Sequence, residues 1–176
     1  ETTVVEVMDR VLPVEDQEIS ILAKKQFEKQ GMTIKEKSLV KTLHRAKNKV
    51  IADIETKGEI KQFEFDTVIS AVGILGNVEG LGMEELGIKI DRSHVITDEF
   101  CSTGVEDIFA IGDIAGGPWL AHKASHEGVM VADKVAGIHV NPVKPESIAG
   151  CTYCYPQVAS VGMTEAMARD SGLDVK

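Results

Sequence analysis

The run from Thr103 to Asp113, Thr-Gly-Val-Glu-Asp-Ile-Phe-Ala-Ile-Gly-Asp, constrains this chain more than any other stretch. Its apolar end, Ile108 to Ile111, reads as a short strand that closes on Gly112-Asp113. A glycine-rich turn, Ala115-Gly116-Gly117-Pro118, follows, and a helix is expected from near Leu120 to Gly137. This order sets a carboxylate beside a helix N-terminus. The carboxylate accepts hydrogen bonds from sugar-alcohol hydroxyls. The first helical turn offers free N–H groups and partial positive charge to an electron-rich atom. A flavin meets both demands.

Around this run the chain alternates strands and helices. Thr2 to Met8 is β-branched and apolar and reads as a buried strand. Asp16 to Gln30 reads as an amphipathic helix with Ile19, Leu22, Ala23 and Phe27 on one stripe. Asp16 is placed to cap its start and Gly31 to end it. Residues 32 to 65 look like short strands, with Lys57-Gly58 as a hairpin turn. Asp66 to Val72 is a further apolar strand ending in Gly73, Leu81 to Leu86 a helical turn, and Val95 to Asp98 a strand candidate. In the helix after Leu120 the small residues Ala121, Ala124, Gly128, Ala132, Val135 and Ala136 define the expected packing face, with Gly128 marking close approach to another backbone. A connector, Asn141 to Pro145, leads to a strand over Gln157 to Gly162. A helix then begins at Met163, with Thr164 as its cap.

The 176 residues suffice for one domain or for pieces of two or three. A net charge of −9 argues against nucleic acid and anionic membrane surfaces as partners. No apolar run reaches the roughly 20 residues needed to span a bilayer. The chain begins without Met and inside a strand pattern, so it is expected to be an internal segment of a longer protein. Cys151 and Cys154 have C-x-x-C spacing, but no second pair completes a zinc site, and Tyr153, Tyr155 and Pro156 point to extended chain around them. His122 and His126 fall on one helical face without a third ligand, so no metal site is expected. Glu127 reads equally as a packing, ion-pair or functional residue.

The Thr103–Asp113 run resembles the second flavin-contacting motif of the pyridine nucleotide–disulfide oxidoreductases. Trp119-Leu-Ala-His-Lys-Ala-Ser-His-Glu-Gly128 is most similar to their dihydrolipoamide dehydrogenase branch. Arg10 to Asp16 and Cys151 to Glu165 carry the same resemblance, which covers almost the whole chain. It implies FAD and NAD as cofactors. Gly112 and Asp113 then belong to the flavin site, with the Asp113 carboxylate on the ribityl chain and Trp119, Leu120, Ala121 and His122 against the ring. Glu6 corresponds to the acidic residue that bonds the adenosine ribose of NAD, Val40 to an adenine contact, and Gly73 to a nicotinamide-nucleotide contact. The family's arginine after that glycine is replaced by Ile74-Leu-Gly-Asn77.

The implied architecture is α/β, with partial Rossmann-like FAD- and NAD-binding domains and the start of an α+β dimerisation domain. Residues 1–75 would belong to the NAD-binding domain, 76–147 to the returning part of the FAD-binding domain, and 148–176 to the interface domain. The parent would be a homodimer that oxidises dihydrolipoyl groups on lipoyl domains of 2-oxo acid dehydrogenase complexes. Electrons would pass through a disulfide and FAD to NAD, in the bacterial cytoplasm or the mitochondrial matrix. The sequence holds no Cys-x-x-x-x-Cys pair and neither Gly-x-Gly-x-x-Gly turn. No catalytic residue is therefore assigned, and the chain alone is expected to be inactive. Two alternatives stay open: a glutathione or mercuric reductase type of enzyme, and a non-catalytic nucleotide-binding module.

Overall fold

The computed structural model describes residues 1–175 as two compact units, Glu1–Ser70 with the residues from Cys151 onward, and Ala71–Gly150. The first unit opens with β1 (Thr2–Val5), α1 (Gln17–Lys29) and β2 (Met32–Lys35). β1 and β2 pair in parallel, Thr2 against Met32 through Val5 against Lys35. Parallel neighbours need a long crossover, and α1 supplies it. This β-α-β unit is the α/β pattern expected from the sequence.

Three strands follow as an antiparallel meander: β3 (Ser38–Ala46), β4 (Lys49–Thr56) and β5 (Glu59–Phe65). The β4–β5 turn is Lys57-Gly58, with φ of 54° and 82°. Positive φ at both central residues gives a turn whose twist matches the flanking strands. A bulge falls between Val40 and Thr42. Ala52 and Ile54 on β4 and Ala23 on α1 are almost fully buried. The unit closes with β8 (Gly150–Thr152) paired to β9 (Val158–Ser160), then α3 (Glu165–Asp170). Thr164 caps α3, its side chain accepting from the Met167 amide at 3.2 Å.

Three local expectations change here. The first strand stops at Val5, and Glu6 continues the backbone pairing by donating to Lys35 O and accepting from Ser38 N. Asp16 does not cap α1; its carboxylate instead accepts the Glu165 amide at 2.8 Å. The buried face of α1 is Ser20 and Ala23, while Ile19 and Leu22 are exposed. Ser20 tolerates burial because its hydroxyl donates to Leu12 O at 2.9 Å.

The second unit is mostly loop. Its regular elements are the short hairpin β6 (Ile90–Asp91) and β7 (His94–Val95), a 3₁₀ turn (Gly112–Ala115), α2 (Ala121–Val135) and a second short 3₁₀ turn (Pro145–Ser147). The core is Ile88, Val95 and Ala110, with Val78, Met83, Val105, Ile108, Ile114 and Ala115 packed around them. Residues 81–86 form a single turn, Leu86 N donating to Gly82 O. The strand expected at 95–98 shortens to β7. Asp66–Val72 does not form a strand: Ile69 and Val72 are 87% and 97% exposed. The residues are extended-chain formers, but a strand needs a neighbour on which to place its N–H and C=O groups. Ile108–Ile111 also departs from expectation. It makes only an isolated bridge, Ser102 to Phe109. Among the described residues no helix is long and apolar enough to cross a membrane.

Gly76 shows how tightly the second unit is folded back. A Cβ there would sit 2.2 Å from the Ser93 carbonyl oxygen. Gly76→Ala is therefore expected to destabilise the protein by about 2 kcal/mol, measured as a lowered midpoint in urea unfolding.

Candidate functional site

Thr103 sets the loop that delivers the site. It is buried, its hydroxyl donates to Ile108 O at 3.0 Å, and its Oγ1 accepts from Val105 N at 3.3 Å. Ala110 N donates to Cys101 O at 2.9 Å, so the chain returns alongside itself before reaching Gly112. The pairing explains why the run ends in a fixed direction without a full strand.

At Gly112 the backbone turns with φ of 72°. A Cβ there would meet the Ala124 Cβ at 3.1 Å, so both the conformation and the close approach of α2 require glycine. Two buried charges on α2 hold this turn. Glu127 Oε2 accepts the Gly112 amide at 2.7 Å, and Glu127 Oε1 pairs with Lys123 Nζ at 3.1 Å. Lys123 also donates to Gly116 O at 2.8 Å and Gly112 O at 3.3 Å. The pair's side chains are only 6% and 10% exposed. The expected small-residue packing face is thus corrected. Lys123, Glu127 and Met130 are buried, whereas Ala121, Ala132, Val135 and Ala136 are exposed. Gly128 faces the Ile111 side-chain tip rather than a backbone. Nothing in an alanine count signals this; the Lys-Glu spacing over one helical turn was the available sign.

Asp113, one residue on, is exposed, and its carboxylate makes no hydrogen bond among the described residues. It caps no turn, so both oxygens are open to hydroxyl donors. α2 starts at Ala121 with Leu120 extended before it (φ −137°, ψ 133°) and without a side-chain cap or an acidic residue in its first turn. The first-turn amides of Ala121, His122 and Lys123 therefore have no partner within the helix, and no acidic residue of the first turn itself offsets the positive end of its dipole.

The flanking aromatic groups are oriented by hydrogen bonds. His94 Nδ1 lies 3.0 Å from Arg92 O, an acceptor only, so this nitrogen carries the proton. Nε2 of the same ring then accepts from Trp119 Nε1 at 3.3 Å, with the two ring centroids 5.7 Å apart. Trp119 is 42% exposed. His122 Nε2 donates to Ala149 O at 2.8 Å. With His126 and His139 it borders a cavity of about 740 Å³. No group of three metal-ligating side chains is found among the described residues.

Gly112, Asp113, Trp119, Leu120, Ala121 and His122 all lie in the second unit, where the turn that holds Gly112 and Asp113 packs against α2. Glu6 and Val40 belong to the first unit, and Gly73 begins the second. Glu6 sits where β1 gives way to β3, and one of its oxygens accepts from Met8 N at 2.8 Å. The other makes no hydrogen bond among the described residues. Val40 is 37% exposed beside the β3 bulge, outside the core. Gly73 has φ of 156° and open space where a Cβ would stand.

Cys101 behaves differently from the C-x-x-C pair. It is buried, with φ of 64°. Burial pushes its thiol up to about 11, and the Glu127 carboxylate adds to the shift. Cys151 and Cys154 are free thiols of intermediate exposure; the Cys154 thiol donates to Pro156 O at 3.0 Å.

Residues 1–128 match the pyridine nucleotide-disulphide oxidoreductase family. The chain belongs to that family. The dihydrolipoyl dehydrogenase of Rhizobium etli is 48% identical over the whole of this chain, and that of Zymomonas mobilis 44%. The chain spans 37% and 38% of the length of these two relatives. Among solved structures, LpdA of Mycobacterium tuberculosis superposes with a TM-score of 0.87 at 26% identity, over 97% of this chain and 36% of that one. The HOCl-induced flavoprotein disulfide reductase RclA of Escherichia coli gives 0.86 at 25%, over 99% of this chain and 40% of that one. The fold is therefore that of the flavin-dependent disulfide oxidoreductases.

Two measurements check this geometry. Lys123→Met leaves the Glu127 carboxylate buried without its cation and is expected to cost about 3 kcal/mol in denaturant unfolding. For Cys101, the native thiol keeps its proton up to about 11, whereas the unfolded one loses it near 9.0. Its contribution to stability is full below the lower value and is lost as pH rises toward the upper one. Stability should fall by about 2 kcal/mol across that window, and Cys101→Ala should flatten the fall.

Proposed function

We propose that this chain supplies one face of the flavin site and much of the NAD-binding part of a dihydrolipoyl dehydrogenase. The parent oxidises protein-bound dihydrolipoyl groups and passes the electrons to NAD. The observation that carries the reading is the exposed Asp113 carboxylate, without a hydrogen bond among the described residues, on a turn packed against α2, whose start is uncapped. These are the two groups a flavin needs from one wall: an acceptor for ribityl hydroxyls and a source of positive potential near the ring. Bound FAD supplies the two-electron redox chemistry itself. Asp113 orients the ribityl chain, Trp119 and Leu120 exclude water from one edge, and the Ala121 and His122 amides stabilise negative charge on the ring. Glu6 holds the adenosine ribose of NAD through its free oxygen, with Val40 against the adenine and Gly73 admitting the nucleotide close to the backbone.

The near relatives' names favour this substrate class over glutathione or mercuric reduction, and the Ala-His-Lys-Ala-Ser-His-Glu-Gly run supports the same choice. In this reading residues 1–75 serve NAD, 76–147 serve FAD, and 148–176 open the subunit interface of a homodimer. Its partners are lipoyl domains of 2-oxo acid dehydrogenase complexes, and it works in the bacterial cytoplasm or the mitochondrial matrix.

Removing the Asp113 carboxylate from the full-length parent tests the reading. Asp113→Ala is expected to weaken FAD binding by at least about tenfold, the loss of a charge-assisted hydrogen bond. Unchanged FAD content after extensive dialysis would overturn it. The 176-residue chain by itself, mixed with dihydrolipoamide, FAD and NAD, is expected to form no NADH, because it has no Cys-x-x-x-x-Cys pair to receive the electrons.

A further inference from the structure

We infer that Lys123 and Glu127 are positioning residues for the flavin half-site: through the Gly112 turn they fix where the Asp113 carboxylate stands relative to the amides at the start of α2. This inference rests on the flavin reading above and goes beyond it by naming what holds the two ligand-facing groups in register.

The pair is poorly placed to serve the helix alone. A Lys-to-Glu order along a helix is the weaker of the two i,i+4 arrangements. Lys123 also sits in the first turn of α2, where a cation opposes the helix dipole. Both charges are buried, which adds a desolvation cost that good geometry must offset. The remaining contacts all point to the loop. Glu127 takes the Gly112 amide at 2.7 Å, while Lys123 reaches Gly112 O at 3.3 Å and Gly116 O at 2.8 Å. Both sides of the turn that carries Asp113 are thereby tied to the helix that carries the free amides. Neither side chain needs to touch the cofactor.

The deciding experiment titrates FAD into the flavin-stripped full-length parent, comparing wild type, Glu127→Gln and the exchanged pair Lys123→Glu/Glu127→Lys. The exchange keeps a buried i,i+4 ion pair and improves its order along the helix. It also turns a carboxylate toward the Gly112 and Gly116 carbonyls and an ammonium toward the Gly112 amide. Both variants are expected to raise the FAD dissociation constant by at least about tenfold. An exchanged pair that binds FAD like wild type would overturn the inference, because a helix-stabilising pair survives the exchange and a loop-positioning pair does not. A wild-type parent that takes up no FAD would instead overturn the flavin reading itself.

If a variant fails to fold, hydrogen exchange in the unmodified parent decides. The Gly112 amide is expected to exchange at least about a hundredfold more slowly than an unprotected amide, with or without FAD. Free exchange in both states would show that Glu127 does not hold it and would overturn the inference.

Discussion

The Gly112 amide is the point on which the candidate site depends. It is buried, so it must be satisfied, and the loop provides no backbone acceptor for it. Glu127 takes that role from within α2. The requirement then spreads: a buried carboxylate needs a cation, Lys123 supplies it, and the spare donors of Lys123 bind Gly112 O and Gly116 O. From one unpaired donor follows a closed polar network that seats the loop on the helix. Asp113, Ala121 and His122 are exposed beside it, and the Asp113 carboxylate makes no hydrogen bond among the described residues.

Much of this was legible in the sequence where local chemistry decides. Lys57-Gly58 dictated its turn, Thr164 its cap, and the apolar periodicity around α1 and α2 placed both helices within a residue or two. Gly112-Asp113 followed by a glycine-rich turn announced a loop that meets a helix start. Readings failed where a distant partner decides. Asp16 looks like a cap for α1, but the Glu165 amide competes successfully for its carboxylate. Asp66–Val72 has strand composition, yet composition does not supply a neighbouring edge. The buried face of α2 differs from the small-residue stripe expected from the sequence: Glu127 reads there equally as a packing, ion-pair or functional residue, and Lys123 carries no sign of burial by itself. Charges are seldom buried, and only the loop's own unsatisfied groups make burial favourable here.

The His94–Trp119 contact adds a constraint of a different kind. Arg92 O fixes the proton on Nδ1, which leaves Nε2 as an acceptor for the indole. The orientation of the largest aromatic group at the site is thus set by the tautomer of a ring on the β6–β7 hairpin. Gly117 lies beside the Trp119 ring, where a Cβ would come within 3.6 Å of it, and the indole stays 42% exposed.

The network around Gly112 also has a kinetic meaning. Its most distant members are separated by 15 residues along the chain, and all of them lie between the 3₁₀ turn and the middle of α2. Closing so short a loop costs little entropy and proceeds far faster than pairing remote strands. The ligand-facing edge therefore belongs to a local structural unit that assembles from its own sequence neighbourhood.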